Sequence, residues 1–156
     1  MDKEIFAIGI VLAEEYYKRG KVMTEQDQRN IEAVRRMYRG ESEESKTIAP
    51  DIVWHVPGHN PVAGDYRGYE AYTELMPSRM APLTQWDFAV GDVMVNGDYV
   101  VATFSLKGER KGKTVDLRGA HIMRLNAQGQ IVEGWGFTND QAALDDFFSR
   151  GSTETT

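Results

Sequence analysis

The stretch from Thr84 to Phe137 constrains this chain more than any other. Trp86, Phe88 and Val90 alternate with polar or small residues, Val93 and Val95 continue the run, and Asn96-Gly97 then separates it from a second apolar run. An Asn-Gly pair flanked in this way is the strongest short-range hairpin signal. Asp98 to Lys107 reads as the second strand, Gly108 to Lys113 as a charged turn, and Thr114 to Leu125 as the third strand. Asn126 to Gln130 is a turn and Ile131 to Phe137 the fourth strand. The expectation is a four-strand antiparallel meander with strands of about ten residues, longer than the usual five or six. A sheet of such strands twists and curls, so its inner face needs cover.

The preceding residues can supply that cover. Thr24-Glu25-Gln26-Asp27 looks like a capped helix start, and Ile31, Val34, Met37 and Tyr38 follow at helical spacing before Gly40. Glu41 to Ala49 has room for a further short helical turn. Pro50-Asp51 marks a break, and Ile52-Val53-Trp54-His55-Val56 reads as a strand ended by Pro57-Gly58. His59 to Gly68 reads as a loop. Tyr69 to Met80 reads as a helix that Pro77 should kink or end early. Asp140 to Phe148 reads as a short closing helix. Helices followed by a run of strands argue for the α+β class. Helices over the concave face of a curled sheet would make a cone with one open mouth, where a small ligand would sit.

Composition narrows the functional classes. The 156 residues hold no cysteine, which removes disulfides, thiolate nucleophiles and Cys-ligated metals together. Lys and Arg number 18 against 24 Asp and Glu, a net charge of −6. No basic run offers phosphates a footprint, so a nucleic-acid partner is not expected. Ile5 to Ala13 has the length of a signal-peptide core but the wrong flanks. It is also far short of the ~20 apolar residues that span a bilayer. Ile5, Ile8, Leu12 and Tyr16 instead mark a helix ending near Gly20, so a cytoplasmic location and no membrane partner are expected.

Four segments carry a family resemblance. They are Trp54-His55-Val56-Pro57-Gly58, Ala63-Gly64-Asp65-Tyr66-Arg67-Gly68, Leu117-Arg118-Gly119-Ala120-His121, and Trp135-Gly136-Phe137-Thr138-Asn139-Asp140-Gln141-Ala142-Ala143-Leu144. In this order they resemble SnoaL-like proteins of the nuclear transport factor 2-like superfamily, which includes ketosteroid isomerases, polyketide cyclases and limonene-epoxide hydrolases. The resemblance covers about residues 24–148. It leaves residues 1–23 as an added N-terminal helix and 149–156 as a polar tail. It implies an α+β cone of cystatin-like roll type with an internal hydrophobic cavity, and a homodimer packed through the sheet. Fold alone does not give function, because one scaffold hosts many chemistries.

Two residues are candidates for catalysis. His121 shares a strand face with Leu117, Gly119, Met123 and Leu125, while Asp116, Arg118 and Arg124 face the other way. From the residues alone His121 is either a satisfied core histidine or a site residue. The resemblance places it where the isomerases and cyclases carry a cavity-facing group that donates to an oxyanion or moves a proton. Asp140 follows the last strand at the spacing where limonene-epoxide hydrolases place a water-activating Asp, but it also stands where a helix N-cap belongs. Trp54, Val56, Tyr72, Met76, Met123 and Trp135 are the expected pocket residues. Trp54 can stack on a flat ligand, and Tyr72 can add a phenolic donor. Val56 occupies the position at which the isomerases carry their general base, which argues against that mechanism. Asp116-Leu117-Arg118 reverses an Arg–Asp pair of the hydrolases and faces away from His121.

His55 is expected on the opposite face, and His59 is expected exposed near the mouth. The two flank Pro57-Gly58, so they cannot share a helix face as zinc ligands of a HExxH pair do. No Gly-rich phosphate loop or nucleophile elbow occurs, and no cofactor or metal is expected. The function expected is cofactor-free acid–base chemistry of isomerase, cyclase or epoxide-hydrolase type on a small, mainly apolar substrate. The alternative is a non-catalytic module of the same fold that binds a ligand or another protein.

Overall fold

A computed structural model describes residues 22–150 of the chain. The expected helix from Ile5 to Gly20 and the tail beyond residue 150 lie outside the described residues. Helix α1 (Glu25–Tyr38) opens with the expected capping box, in which Thr24 Oγ1 accepts from the Asp27 amide and Asp27 accepts from the Thr24 amide, both at 3.0 Å. Asn30, buried in the middle of the helix, donates from Nδ2 to the Gly97 carbonyl and ties α1 to the tip of the first hairpin. A one-turn helix α2 (Ser42–Ser45) leads into strand β1 (Ile48–Val56).

Three elements depart from the sequence reading. Strand β1 starts four residues before the expected Ile52 and runs through Pro50. Its pairing with the last strand shifts between Ile48 and Val53, and such an irregularity is where a strand tolerates a residue with no amide hydrogen. The expected loop 59–68 contains a short strand β2 (Gly64–Arg67), paired antiparallel to β1 from Val53↔Arg67 to Val56↔Gly64. The helix after it does not end at Pro77. A π-helical turn (Ala71–Leu75) passes into α3 (Met76–Met80), with Pro77 in the first turn of the α segment. The wider π turn before it accommodates the ring and the missing amide hydrogen, so the helix continues.

The meander forms as expected: β3 (Gln85–Asn96), β4 (Tyr99–Arg110), β5 (Lys113–Leu125) and β6 (Ile131–Thr138). The first turn is displaced by one residue. Asn96 pairs with Tyr99, so Gly97 and Asp98 are the two central residues, and only Gly97 has positive φ (60°). That is the requirement of a II′ turn, with Gly at its first position. Helix α4 (Gln141–Phe148) is the last element among the described residues. The six strands lie in the order β2-β1-β6-β5-β4-β3, with β1 parallel to β6 and the other pairs antiparallel.

Two buried clusters lie on the inner face of this sheet. One gathers Val34, Ile52, Trp54, Val100, Met123 and Ile131 under α1, and the other gathers Val62, Val115, Leu117, Phe147 and Phe148 under α4. Val56 and Met76 pack against both. The space between the clusters is the cavity described next.

Candidate functional site

The middle of β5 is the floor of that space. Strand parity sends Val115, Leu117, His121, Met123 and Leu125 inward and leaves Asp116 and Arg118 exposed. His121 pairs with Ala102 on β4 and Gly136 on β6. Neighbouring side chains on both flanks are therefore small, and larger rings close over the imidazole from further away. Phe104, Trp54, Phe88 and Tyr38 have ring centroids 4.7, 5.0, 5.7 and 5.8 Å from it. Trp54 can lie flat there because its partner across the β1–β6 pair is Gly134. A Cβ at that position would overlap the indole.

Among the described residues one polar contact reaches His121. Tyr38, the last residue of α1, brings its hydroxyl within 2.7 Å of Nδ1. Burial pushes the Tyr38 pKa up, with Tyr72 nearby adding to the effect, so the phenol keeps its proton. Burial also lowers the His121 pKa to about 4, because a charged imidazolium inside an aromatic cage loses its hydration. At neutral pH both groups are therefore uncharged. With the phenol O–H donating to Nδ1, the imidazole proton resides on Nε2.

The cavity measures about 310 Å³, near the lower end of the range for small-molecule sites. Its walls are overwhelmingly apolar and aromatic, including Trp54, Val56, Tyr72, Met76, Trp86, Phe88, Phe104, Leu106 and Phe148. No Asp, Glu, Lys or Arg lines it among the described residues. The loop after β1 forms the rim and is tied to α4 by Asp145, which accepts from the His59 amide, the Asn60 side chain and the Gln141 side chain at 3.0, 2.6 and 3.0 Å.

The sequence-predicted residues divide into those that meet here and those that do not. His121, Trp54, Val56, Tyr72 and Met76 line the cavity. Met123 faces inward, but two residues beyond His121 it is fully buried in the α1 cluster. Trp135 faces the other side of the sheet, where it stacks on His55 at 5.3 Å. Its odd parity on β6 sends it there, whereas Gly134, Gly136 and Thr138 point inward. Asp140 is an exposed N-cap of α4 whose Oδ1 accepts from the Ala143 amide at 3.0 Å. It does not reach the cavity, so a water-activating role has no geometric basis.

His55 lies on the outer face as expected, bridging Asp65 (2.7 Å) and Glu133 (3.1 Å). His59 is wholly exposed, with 99% of its side chain accessible. Phe88, Phe104, Trp86 and Thr138 line the cavity without having been singled out. The alternation along β3, β4 and β6 was the available signal for each. Among the described residues no group of His, Asp and Glu is arranged to hold a metal ion.

Comparison with known proteins agrees with this architecture. The family model for the SnoaL-like domain matches residues 21–134. The chain belongs to the SnoaL-like family, within the nuclear transport factor 2-like superfamily. The uncharacterized protein Rv0034 of Mycobacterium tuberculosis is 30% identical over 130 residues, covering 79% of this chain and 98% of that one. Bal32a, from a soil-derived mobile gene cassette, superimposes with a TM-score of 0.70 at 23% identity, over 80% of this chain and 99% of that one. A putative SnoaL-like polyketide cyclase from Jannaschia sp. CCS1 gives 0.67 at 20% identity, over 84% and 99%. No helix among the described residues is long and apolar enough to cross a membrane.

Proposed function

We propose that the cavity binds a small, mainly apolar carbonyl compound and that the Tyr38–His121 pair acts on its oxygen. The observation that carries this reading is the 2.7 Å contact between the Tyr38 hydroxyl and His121 Nδ1 beside an otherwise apolar cavity. It holds a neutral imidazole with Nε2–H available as donor. Such a donor stabilises negative charge developing on a carbonyl oxygen as water or a nucleophilic group of the substrate itself adds to the carbonyl carbon. A low local dielectric makes that hydrogen bond stronger than in water. No cofactor enters this chemistry. The outer face of the sheet, with Trp135 and the half-exposed Phe137, is the surface we assign to a second copy of the chain.

A second reading is a module that binds its ligand without transforming it. The lack of a carboxylate in the cavity, with Val56 where the isomerases carry their base, favours this alternative. Both readings predict binding, and turnover separates them. A panel of cyclic enones, cyclic ketones and lactones should include compounds that quench tryptophan fluorescence, and His121→Gln and Tyr38→Phe should weaken their binding. Conversion of a bound compound by the wild type, lost in both variants, establishes the enzyme. Equal binding and turnover in His121→Gln would refute the role given to the pair.

A further inference from the structure

The outer face of the sheet carries one row of side chains that crosses all six strands. Pairing aligns Met94 with Val101, Val101 with Ile122, Ile122 with Trp135, Trp135 with His55, and His55 with Asp65. The row points outward because Val100, Ala102, Met123 and Trp54, the chain neighbours of its members, are buried on the inner face. Four of its members are apolar, and it ends in an imidazole and a carboxylate.

Both ring nitrogens of His55 stand at hydrogen-bond distance from a carboxylate, Nδ1 2.7 Å from Asp65 Oδ1 and Nε2 3.1 Å from Glu133 Oε1. A carboxylate only accepts, and a neutral imidazole has one N–H. The neutral ring therefore serves one carboxylate and turns a lone pair to the other, whereas the protonated ring serves both. Arg67 donates to the second oxygen of Asp65 at 3.2 Å, and Arg124 to the second oxygen of Glu133 at 3.4 Å. Protonated His55 thus completes a run of charges that alternate in sign across β2, β1, β6 and β5. These are the charged groups that face the ring; Asp51, exposed, stands further back on the same side of β1. Burial pulls the His55 pKa down, but the two carboxylates outweigh it and hold the pKa above the ordinary value. Trp135 stacks on the imidazole with 18° between the planes, where a cationic ring is attracted to the indole.

We propose that His55 is a proton switch for the association of two copies of the chain through this face. The switch rests on the assignment of the face to a second copy. The charge distribution favours that partner. The chain as a whole carries −6, but on this face charges stand in pairs of opposite sign, Arg124 with Glu133 and Lys107 with Asp116 among them. Two acidic chains therefore meet here with little like-charge repulsion. In the free chain, water donates to whichever carboxylate the neutral ring fails to serve. A second copy packed over the row excludes that water and leaves a carboxylate oxygen against a lone pair, which is costly. The protonated ring leaves neither carboxylate unpaired. Association therefore takes up protons, and by linkage it weakens as pH rises through the titration of His55.

Sedimentation of the full chain, fluorescently labelled and diluted from micromolar to nanomolar at pH 6.5 and pH 9.0, tests this. The chain holds no cysteine and three histidines. Of the other two, His121 is uncharged at both pH values, and His59 is wholly exposed on the rim loop. Each proton taken up changes the dissociation constant by up to about tenfold per pH unit, and a dimer has two such sites, so wild type should associate about tenfold or more tightly at pH 6.5 than at pH 9.0. His55→Gln should behave the same at the two pH values. Phe137→Glu, which puts a charge on a half-exposed position beside the row, should be monomeric at both. A wild-type dimer with one constant at both pH values, or one that never dissociates, overturns the switch and leaves the interface standing. So does a pH dependence that runs the other way or survives His55→Gln. A wild-type chain that is monomeric throughout, or a dimer that Phe137→Glu leaves intact, overturns the assignment of the face and the switch with it.

Discussion

Acid should destabilise this protein through His121 in a way that a single substitution removes. The unfolded chain binds a proton at this residue near pH 6.5, while the folded chain resists until about pH 4 because burial among aromatic rings strips most of the hydration from the imidazole. The folded state then binds fewer protons than the unfolded state, and stability falls as pH falls through that window. At about 1.4 kcal/mol for each pH unit, the gap amounts to about 3 kcal/mol. That figure is a ceiling, since part of the ring faces an open cavity and is moderated by solvent. The loss begins near pH 6.5 and is complete near pH 4. Urea unfolding of wild type and His121→Gln between pH 7.5 and 4.5 measures it, because carboxylates and His55 titrate in both proteins and cancel in the difference. The difference should grow by about 1 kcal/mol per pH unit below pH 6.5, always in favour of the variant. Nitrogen-15 NMR of the imidazole should show Nε2 protonated and a midpoint well below 6. Parallel stability curves, or a midpoint near 6.5, would refute the argument.

Other substitutions probe the remaining assignments. Asp140→Ala should cost about 1 kcal/mol through the lost cap and leave ligand binding unchanged; denaturant titration and fluorescence quenching report the two. Gly134→Ala should cost about 1–3 kcal/mol by overpacking, because the new methyl meets the Trp54 indole, and it should shift the tryptophan emission. His55 should behave oppositely to His121. Burial pulls its pKa down, but bonds to Asp65 and Glu133 outweigh this and hold it above the ordinary value. Its contribution is present below pH 6.5 and disappears as pH rises through the folded pKa. The stability difference between wild type and His55→Gln should therefore shrink between neutral and alkaline pH.

Strand parity was legible because it is a local property. Alternation along Thr114–Leu125 placed His121 inward and Asp116 and Arg118 outward with no knowledge of the partners. The same rule, applied to β6, would have turned Trp135 outward and Thr138 inward. Capping chemistry was legible at Thr24 and Asp140, since a cap is satisfied within three residues. Less was legible where two segments must meet. Strand β2 is four residues long and carries too little pattern to stand out from a glycine-bearing loop. Its existence depends on β1 offering an edge. Pro50 and Pro77 marked real irregularities, but a shift in strand pairing and a π-helical turn absorbed them instead of ending the elements.

Local patterning was enough for the α+β class, the meander and the inward face of β5. It was enough because periodicity and turn chemistry act over a few residues. Which inward residues are core and which line a void depends on how the helices close over the sheet. Met123 and His121 share a face two residues apart, yet α1 buries one under Val34 and delivers the Tyr38 hydroxyl to the other. Tyr38 and His121 are 83 residues apart in the chain. No local rule connects them, and the low pKa of the histidine exists only once helix and sheet have closed around it.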